Sequence, residues 1–329
     1  GRRAINSYMD NGYIPLEDMV EEAFHTNKQT SRTLEYAYDD YAVAQMAKAL
    51  HDSCQDAALR QKYLEDYNDL MRRSENWRNV INPATGWANG RYENGKWENN
   101  EDLVHRKSYI TEGATCHYTW YVPQNPEGLF EVIRNSKPMD KLEKQIEKTE
   151  RKMEKKGETP VRNEKVIARL DKMFDNGWYW HGNEPCHQVA YLYDAAGAPE
   201  KTQERVHHIL QTEYNDTPGG LSGNDDAGQM SAWYVLAASG IHPSCPGNTR
   251  MEITSPVFDK VEFNLDPSYY TGKKFTVIAH NNSINNVYIQ KALLNGQEYN
   301  KCYLDFADIA AGGTLELFMG DKPNVEWGL

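Results

Sequence analysis

The segment "SRTLEYAYDDYAVAQMAKAL" repeats its apolar positions at three- and four-residue steps, with Leu34, Tyr38, Tyr41 and Gln45 running beside Ala37, Ala44 and Ala47. That period sets one face of a helix against a core, with Ser31 and Thr33 as its caps. The stretch "DAALRQKYLEDYNDLMRRSENWRNVI" keeps the same period through Leu59, Tyr63, Tyr67 and Leu70 until "NPATG" breaks it. Helix pairs joined by loops rich in Asn, Gly and Pro are expected to continue to about residue 240. Residues 137–165 are dense in Lys and Glu, with Leu142, Ile146 and Met153 as a thin apolar stripe. This predicts a protruding, solvated helical insertion, with a partner-binding arm as the alternative. After "GIHPSCPGN" the period falls to two in "KKFTVIAHNN", "NNVYIQKALLNG", "NKCYLDF" and "GGTLELFMG", short runs bounded by Gly, Asn and Asp. The fold predicted is mainly α: a helical array or barrel over residues 1–250, then a small antiparallel β domain over 251–329.

Composition narrows the partners. A net charge of -12 disfavours nucleic acid, because phosphate binding depends on Lys and Arg. No apolar run approaches the roughly 20 residues of a membrane helix. The 21 Tyr and 8 Trp offer apolar faces with polar tips, which suit ring-shaped polar ligands as well as a core. Five widely spaced cysteines without a CxxC pair signal neither a zinc site nor a disulfide framework. The chain opens "GRRAINSYMD", with no initiator Met and no signal-peptide pattern, which suggests a fragment, a processed chain or a trimmed one.

Three loop-to-helix junctions place a carboxylate beside aromatics: Glu112 in "SYITEGATCHYTWYVP", Glu184 in "WYWHGNEPCHQVAYLYD", and Asp225-Asp226 in "GGLSGNDDAGQMSAW". Pro185 suits the first turn of a helix carrying Val189, Leu192 and Tyr193, with Asn183 or Glu184 at its N-cap. Asp225 and Asp226 stand before a helix that stops at Gly240, and read as a cap, a metal site or a catalytic base. One cap satisfies one helix end, yet Asn224, Asp225 and Asp226 crowd it together, with Gly223 and Gly228 allowing close backbone approach. Carboxylates with Asn oxygens are also the hard ligands of calcium, and paired carboxyls are what glycoside hydrolysis needs. His181 and His187 read as pocket lining rather than metal ligands, and His207-His208 as incidental.

The motifs "GGLSGNDDAGQMSAWYVLAASGIHP", "SPVFDKVEF", "WHGNEPCHQVAYLYDAAGAP", "YIPLE" and "SRTLEYAYDDYAVAQMAKAL" closely resemble the calcium-dependent exo-α-mannosidases of glycoside hydrolase family 92, across most of residues 10–265. The resemblance implies an (α/α)6 barrel, here incomplete at its N-terminus, preceded in the family by a β-sandwich that would be a separate chain or a missing partner. It implies inverting hydrolysis of terminal α-mannosides in glycans, with Glu112 as general acid, Asp226 as general base, and Asn224 and Asp225 in support. Asn183, Glu184 and Asn215 would hold Ca2+. Trp180, His181, His117 and Trp120 are expected to touch the sugar. Export to the periplasm, cell surface or medium follows from the family's role.

Departures from the family pattern refine these expectations. Ala114, Thr115, Cys116 and His117 follow "TEG" where the family has another set, which alters the pocket wall. Asn224 replaces a carboxylate beside the base, and the charged insertion occupies the region of a His-Glu pair associated with α-1,2 linkages. A preference for α-1,3, α-1,4 or α-1,6 is therefore expected, and Glu112, where mannosyl-phosphate enzymes carry Gln, predicts cleavage of ordinary glycosides. The alternatives are a catalytically silent mannose-binding or scaffold module, an inactive truncated fragment, and a calcium-indifferent (α/α)6 glycosidase of other specificity.

Overall fold

The computed structural model describes residues 2–20 and 26–329. Two compact units emerge: Gly1–Pro160 with Glu164–Trp180, and Val161–Asn163 with His181–Leu329.

The first unit runs α1 (Ile5–Asn11), α2 (Gln29–Ser53), α3 (Ala57–Ser74), a 3-10 turn (Glu75–Asn79), the strand pair β1 (Ile81–Asn82) and β2 (Trp87–Ala88), α4 (Thr115–Tyr118), α5 (Pro126–Asn135), α6 (Lys141–Lys155) and α7 (Glu164–Asp175). α2 packs along α3 and buries Leu34, Ala37, Ala44 and Ala47, the face its period predicts. Asp40 is the polar member of that face: it accepts from Tyr8 Oη at 2.9 Å and from Arg73 Nε at 3.1 Å. Asp56 caps α3, accepting from the backbone N–H of Ala58 and Leu59.

Several expectations are corrected. α2 begins earlier than Ser31, at Gln29, behind Lys28 in the left-handed region, and neither Ser31 nor Thr33 caps it. Thr33 Oγ1 bonds back to the Gln29 carbonyl and accepts from Ile14 N, while Ser31 accepts from Thr111 N. α3 ends at Ser74, and its Leu59 is 46% exposed. From residue 83 to 114 the chain is mostly irregular instead of paired helices, as the density of Asn, Gly and Pro there would impose. Val43, Met46 and Leu50, at 51%, 66% and 39% exposure, leave an apolar strip of α2 open to solvent.

The insertion is anchored where the sequence reads as solvated. Leu142 is 49% exposed, whereas Glu143 and Arg169 are fully buried and pair at 3.2 Å. Lys172 reaches Asp140 at 2.6 Å, and the buried Lys165 reaches Glu147 at 2.8 Å and the Ser136 carbonyl at 2.6 Å. Asp140 caps α6 through the Glu143 N–H. Burial alone would raise the Glu143 pKa, but the hydrogen bond and charge of Arg169 outweigh it, and the carboxyl ends below its ordinary value. The far half of α6 is solvated as expected.

The second unit runs through 3-10 turns at Glu184–Cys186 and Val189–Tyr191, then α8 (Leu192–Ala195), α9 (Pro199–Thr212), α10 (Gln229–Ala238), β3 (Ile241–His242), β4 (Arg250–Ile253), β5 (Lys260–Asn264), β6 (Lys274–His280), β7 (Tyr288–Leu294), β8 (Gln297–Glu298), β9 (Tyr303–Asp305), α11 (Phe306–Ala310) and β10 (Gly313–Gly320). Pro185 therefore opens a 3-10 turn, not a continuous helix. The four runs of period two all form strands. They are not purely antiparallel: one sheet has the order β5-β6-β10-β7-β8, and β10 pairs parallel to β6. The last strand inserts between two earlier ones, a pairing no hairpin can make. The other sheet is β3-β4-β9, so strands begin at Ile241, ahead of residue 251. Phe275, Val277, Ile289, Leu315 and Leu317 fill the core of the strand region. No described helix is long and apolar enough to cross a membrane, and none of the five cysteines forms a disulfide among the described residues.

Replacing Glu143 by Ala strands the buried Arg169 guanidinium. The expected loss is about 3–5 kcal/mol, measured by denaturant unfolding, with Leu142→Ala changing stability by less than about 0.5 kcal/mol.

Candidate active site

In the first unit, the loop carrying Glu112 is fastened to the first turn of α2. Thr30 N donates to the Tyr109 carbonyl at 3.1 Å, Thr111 N donates to Ser31 Oγ at 3.0 Å, and the Ser31 and Thr111 hydroxyls lie 2.9 Å apart. This is the work of the buried polar residues that the sequence suggested as caps. Glu112 itself is exposed and holds a left-handed φ of 51°. Lys28, which donates to the Ile110 carbonyl at 3.1 Å, has its pKa lowered by burial and by Arg106, with the Glu112 charge acting the other way.

His117 sits three residues past Ala114, whose N–H it accepts through Nδ1 at 3.2 Å, and its Nε2–H donates to the Trp178 carbonyl at 2.8 Å. Those two bonds fix a neutral tautomer, and burial lowers its pKa. Trp120 is fully buried, edge-on to Trp87 with ring centroids 6.2 Å apart, and offers no surface to a ligand. Trp180 is 37% exposed.

A group the sequence reading passed over is Glu35 on α2. Burial pushes its pKa up to about 7, against a hydrogen bond from Tyr118 Oη at 3.2 Å, with Asp39 adding to the rise. The signal available was a carboxylate directly beside Leu34 on the apolar face.

In the second unit, two loops converge because glycines let their backbones touch. A Cβ on Gly223 would fall on the Gly182 backbone, and one on Gly220 would fall on the Asn215 carbonyl. The stretches around Asn183 and Asn224 are thereby brought together, and the turn at Asn215 closes on itself. Behind them lies a ring cluster. His181 and His187 stack with centroids 4.6 Å apart, and Trp233 stands edge-on to His181 at 4.4 Å. His181 Nε2–H donates to Tyr214 Oη at 2.6 Å, whose hydroxyl donates to the Met230 carbonyl at 3.0 Å. His187 Nε2–H donates to the His181 carbonyl at 3.0 Å, and Trp233 Nε1–H to the His187 carbonyl at 3.0 Å. Burial, with His187 and His242 nearby, pushes the His181 pKa down to about 2, and burial pushes His187 down to about 4. Both rings stay neutral, and His181, fully buried, packs beneath the site where contact with sugar was expected.

The two aspartates divide their work. Asp225 Oδ1 accepts from Ser231 N at 2.9 Å and from Ser231 Oγ at 3.0 Å, which satisfies the first turn of α10. Asp226, exposed, has φ 41°, followed by Ala227 at 59° and Gly228 at 89°. Its carboxylate has no hydrogen-bond partner among the described residues. Asn224 is exposed beside them. Asn215 is committed locally: its Oδ1 accepts from Thr217 N at 3.0 Å and from Thr217 Oγ1 at 2.5 Å, which uses both lone pairs. Asn183 is buried without a side-chain cap bond, and its Nδ2 has no partner among the described residues. Glu184 follows it, partly exposed.

The family model described as the glycosyl hydrolase family 92 catalytic domain matches residues 1–321. The chain is 30% identical to an uncharacterized secreted glycosidase of Arthroderma benhamiae, over all of this chain and 40% of that protein. It is similar in structure to the family GH92 α-mannosidase of Bacteroides thetaiotaomicron, with TM-score 0.79 and 33% identity over 99% of this chain and 38% of the other. It is also similar to a family GH92 inverting mannosidase of Bacteroides thetaiotaomicron VPI-5482, with TM-score 0.79 and 32% identity over 100% of this chain and 41% of the other. The chain thus spans about 40% of the length of these relatives.

Asp225→Ala removes a helix-end acceptor and is expected to cost about 1 kcal/mol, whereas Asp226→Ala changes stability by less than about 0.5 kcal/mol; thermal unfolding of both variants reads the contrast. Glu35 binds its proton more tightly folded than unfolded. Its stabilising contribution is complete below the ordinary 4.5 and is lost as pH rises through about 7. Glu35→Gln should therefore flatten the stability profile across that window, removing a fall of up to about 3 kcal/mol seen in the wild type.

Proposed function

The chain belongs to glycosyl hydrolase family 92, and from that premise we propose that it is the C-terminal part of an exported, inverting, calcium-dependent exo-α-mannosidase acting on glycans. Residues 1–250 are its catalytic region, of (α/α)6 type, and residues 251–329 a β domain. The names of its relatives, a secreted glycosidase and two mannosidases, support this reading. The open strip of Val43, Met46 and Leu50 supports a further region of the enzyme as its cover, the family's β-sandwich portion being the expected partner.

Inverting glycoside hydrolysis uses one carboxyl to protonate the leaving oxygen and another, about 6.5–9.5 Å away, to deprotonate water. Glu112 takes the first role and Asp226 the second. The observation that carries the assignment is the division of labour at α10: Asp225 completes the helix end, which leaves the Asp226 carboxylate free to accept a proton from water. Glu112 shares with it exposure and a left-handed backbone, a conformation that costs energy and recurs at functional positions. His117 holds the Glu112 loop through the Ala114 N–H, and Asn224 flanks the base.

Asn183 and Glu184 suit calcium, since an amide oxygen and a carboxylate are both hard oxygen donors. When bound there, calcium supplies positive charge toward sugar hydroxyls and aids ring distortion. Trp180, with its exposed face, is the remaining candidate for sugar contact.

The test is mannose release from linkage-defined α-mannobiosides by this chain and by the longest native form. Glu112→Gln and Asp226→Asn are each expected to lower kcat by about 10²–10⁴-fold with unchanged circular dichroism, a chelator should abolish turnover, and the first anomer seen by NMR should be β. Mannoside binding without turnover in both forms would instead favour a silent glycan-binding module. Turnover insensitive to chelation would remove calcium from the mechanism.

A further inference from the structure

Away from the loops just described, the second unit buries a cluster of acceptors with too few donors. Asp194 in α8, Glu252 in β4 and Cys302 just before β9 each present one ligand atom, and the three atoms lie within 4.8 Å of one another. All three residues are at least nine-tenths buried, with exposures of 7%, 3% and 4%. Among the described residues neither carboxylate oxygen of Asp194 is in a well-formed hydrogen bond, and neither is Glu252 Oε2, although the Thr202 hydroxyl stands near Asp194. The other Glu252 oxygen is satisfied, by Arg250 Nε at 2.7 Å and Ser244 Oγ at 2.9 Å. The Arg250 guanidinium also reaches Cys302 Sγ, at 3.8 Å. The Ile253 N–H donates to the Cys302 carbonyl at 2.7 Å, so strand pairing fixes the thiol beside Glu252.

Two carboxylates that face each other in a buried space, with three oxygens outside any well-formed hydrogen bond, require positive charge between them. We propose that Asp194, Glu252 and Cys302 bind a divalent transition metal, with zinc the best match. The charges close: two carboxylates and a thiolate are balanced by Arg250 and a dication. Thiolate sulfur with carboxylate oxygen selects zinc over calcium, which takes six to eight oxygens. Zinc is four-coordinate at about 2.3 Å from sulfur and about 2.0–2.2 Å from oxygen, so binding draws the three donors together by about 1 Å. The site ties α8 to the β4-β9 pair and plays no part in bond cleavage, and it stands or falls independently of the mannosidase reading.

The experiment equilibrates the purified full chain with zinc, dialyses it against excess calcium, and measures metal per chain by mass spectrometry. About one tightly held zinc is expected, with Asp194→Asn losing it. Cobalt in place of zinc should give the near-ultraviolet sulfur-to-metal absorption, which Cys302→Ser removes. Both wild-type measurements stand even if a variant fails to fold. No retained zinc in the wild type, or a cobalt spectrum lacking the sulfur band, overturns the site. So does a wild type equally stable with and without zinc, which would assign the positive charge to a proton shared between the two carboxyls.

Discussion

The arrangement of the second unit's candidate site depends on one steric constraint: the backbones at Gly223 and Gly182 occupy space that a single methyl group would deny them. Side chains projecting from loops normally hold the backbones apart, so convergent carboxylates and amides would be kept at a distance. Removing two Cβ atoms lets the loop of Asn183 and Glu184 and the loop of Asn224 to Asp226 meet at backbone distance. Gly220 lets the turn at Asn215 close on itself. The stacked, neutral pair of His181 and His187, with Trp233 and Tyr214, forms the floor beneath. Its hydrogen bonds are satisfied internally, so the floor contributes rigidity and no charge.

Rigidity in the first unit has a different origin. Buried charge, more than apolar area, fixes its outlying parts: Asp40 joins α2 to α3 through Arg73, and Glu143 joins α6 to α7 through Arg169. Such pairs gain little over apolar packing in net stability, because desolvation offsets most of their attraction. What they impose is register, since a guanidinium out of place is buried without a counter-charge. The Glu112 loop follows the same logic with neutral groups. Thr30 and Ser31 are buried at the start of α2 to receive the backbone of residues 109 to 111.

The two residues assigned to proton transfer share a physical character that neither has by composition. Each is exposed, each is in a left-handed conformation, and each lies next to a residue that does the structural work: Ser31 with Thr111 near Glu112, and Asp225 beside Asp226. Separating the structural from the chemical task in adjacent positions keeps a carboxylate available to solvent while its backbone is held.

Periodicity alone determined the long helix of Leu34 to Ala47, four of the five strands after residue 270 and the loop character around "NDD", because these depend on local spacing and turn chemistry. The motifs determined the family, whose model spans residues 1–321. What the sequence left open was decided by contacts between distant positions. Ser31 and Thr33 look like caps until residues 14 and 111 arrive to use their hydroxyls. The insertion looks solvated because Glu143 is indistinguishable in sequence from its exposed neighbours, and only Arg169, on the next helix, makes it a core residue. The parallel pairing of β10 with β6, the burial of Trp120 and His181, and the meeting of Asp194, Glu252 and Cys302 belong to the same class. Each is fixed by which segments the folded chain brings side by side, and side-chain spacing along one segment carries no information about its neighbours in space.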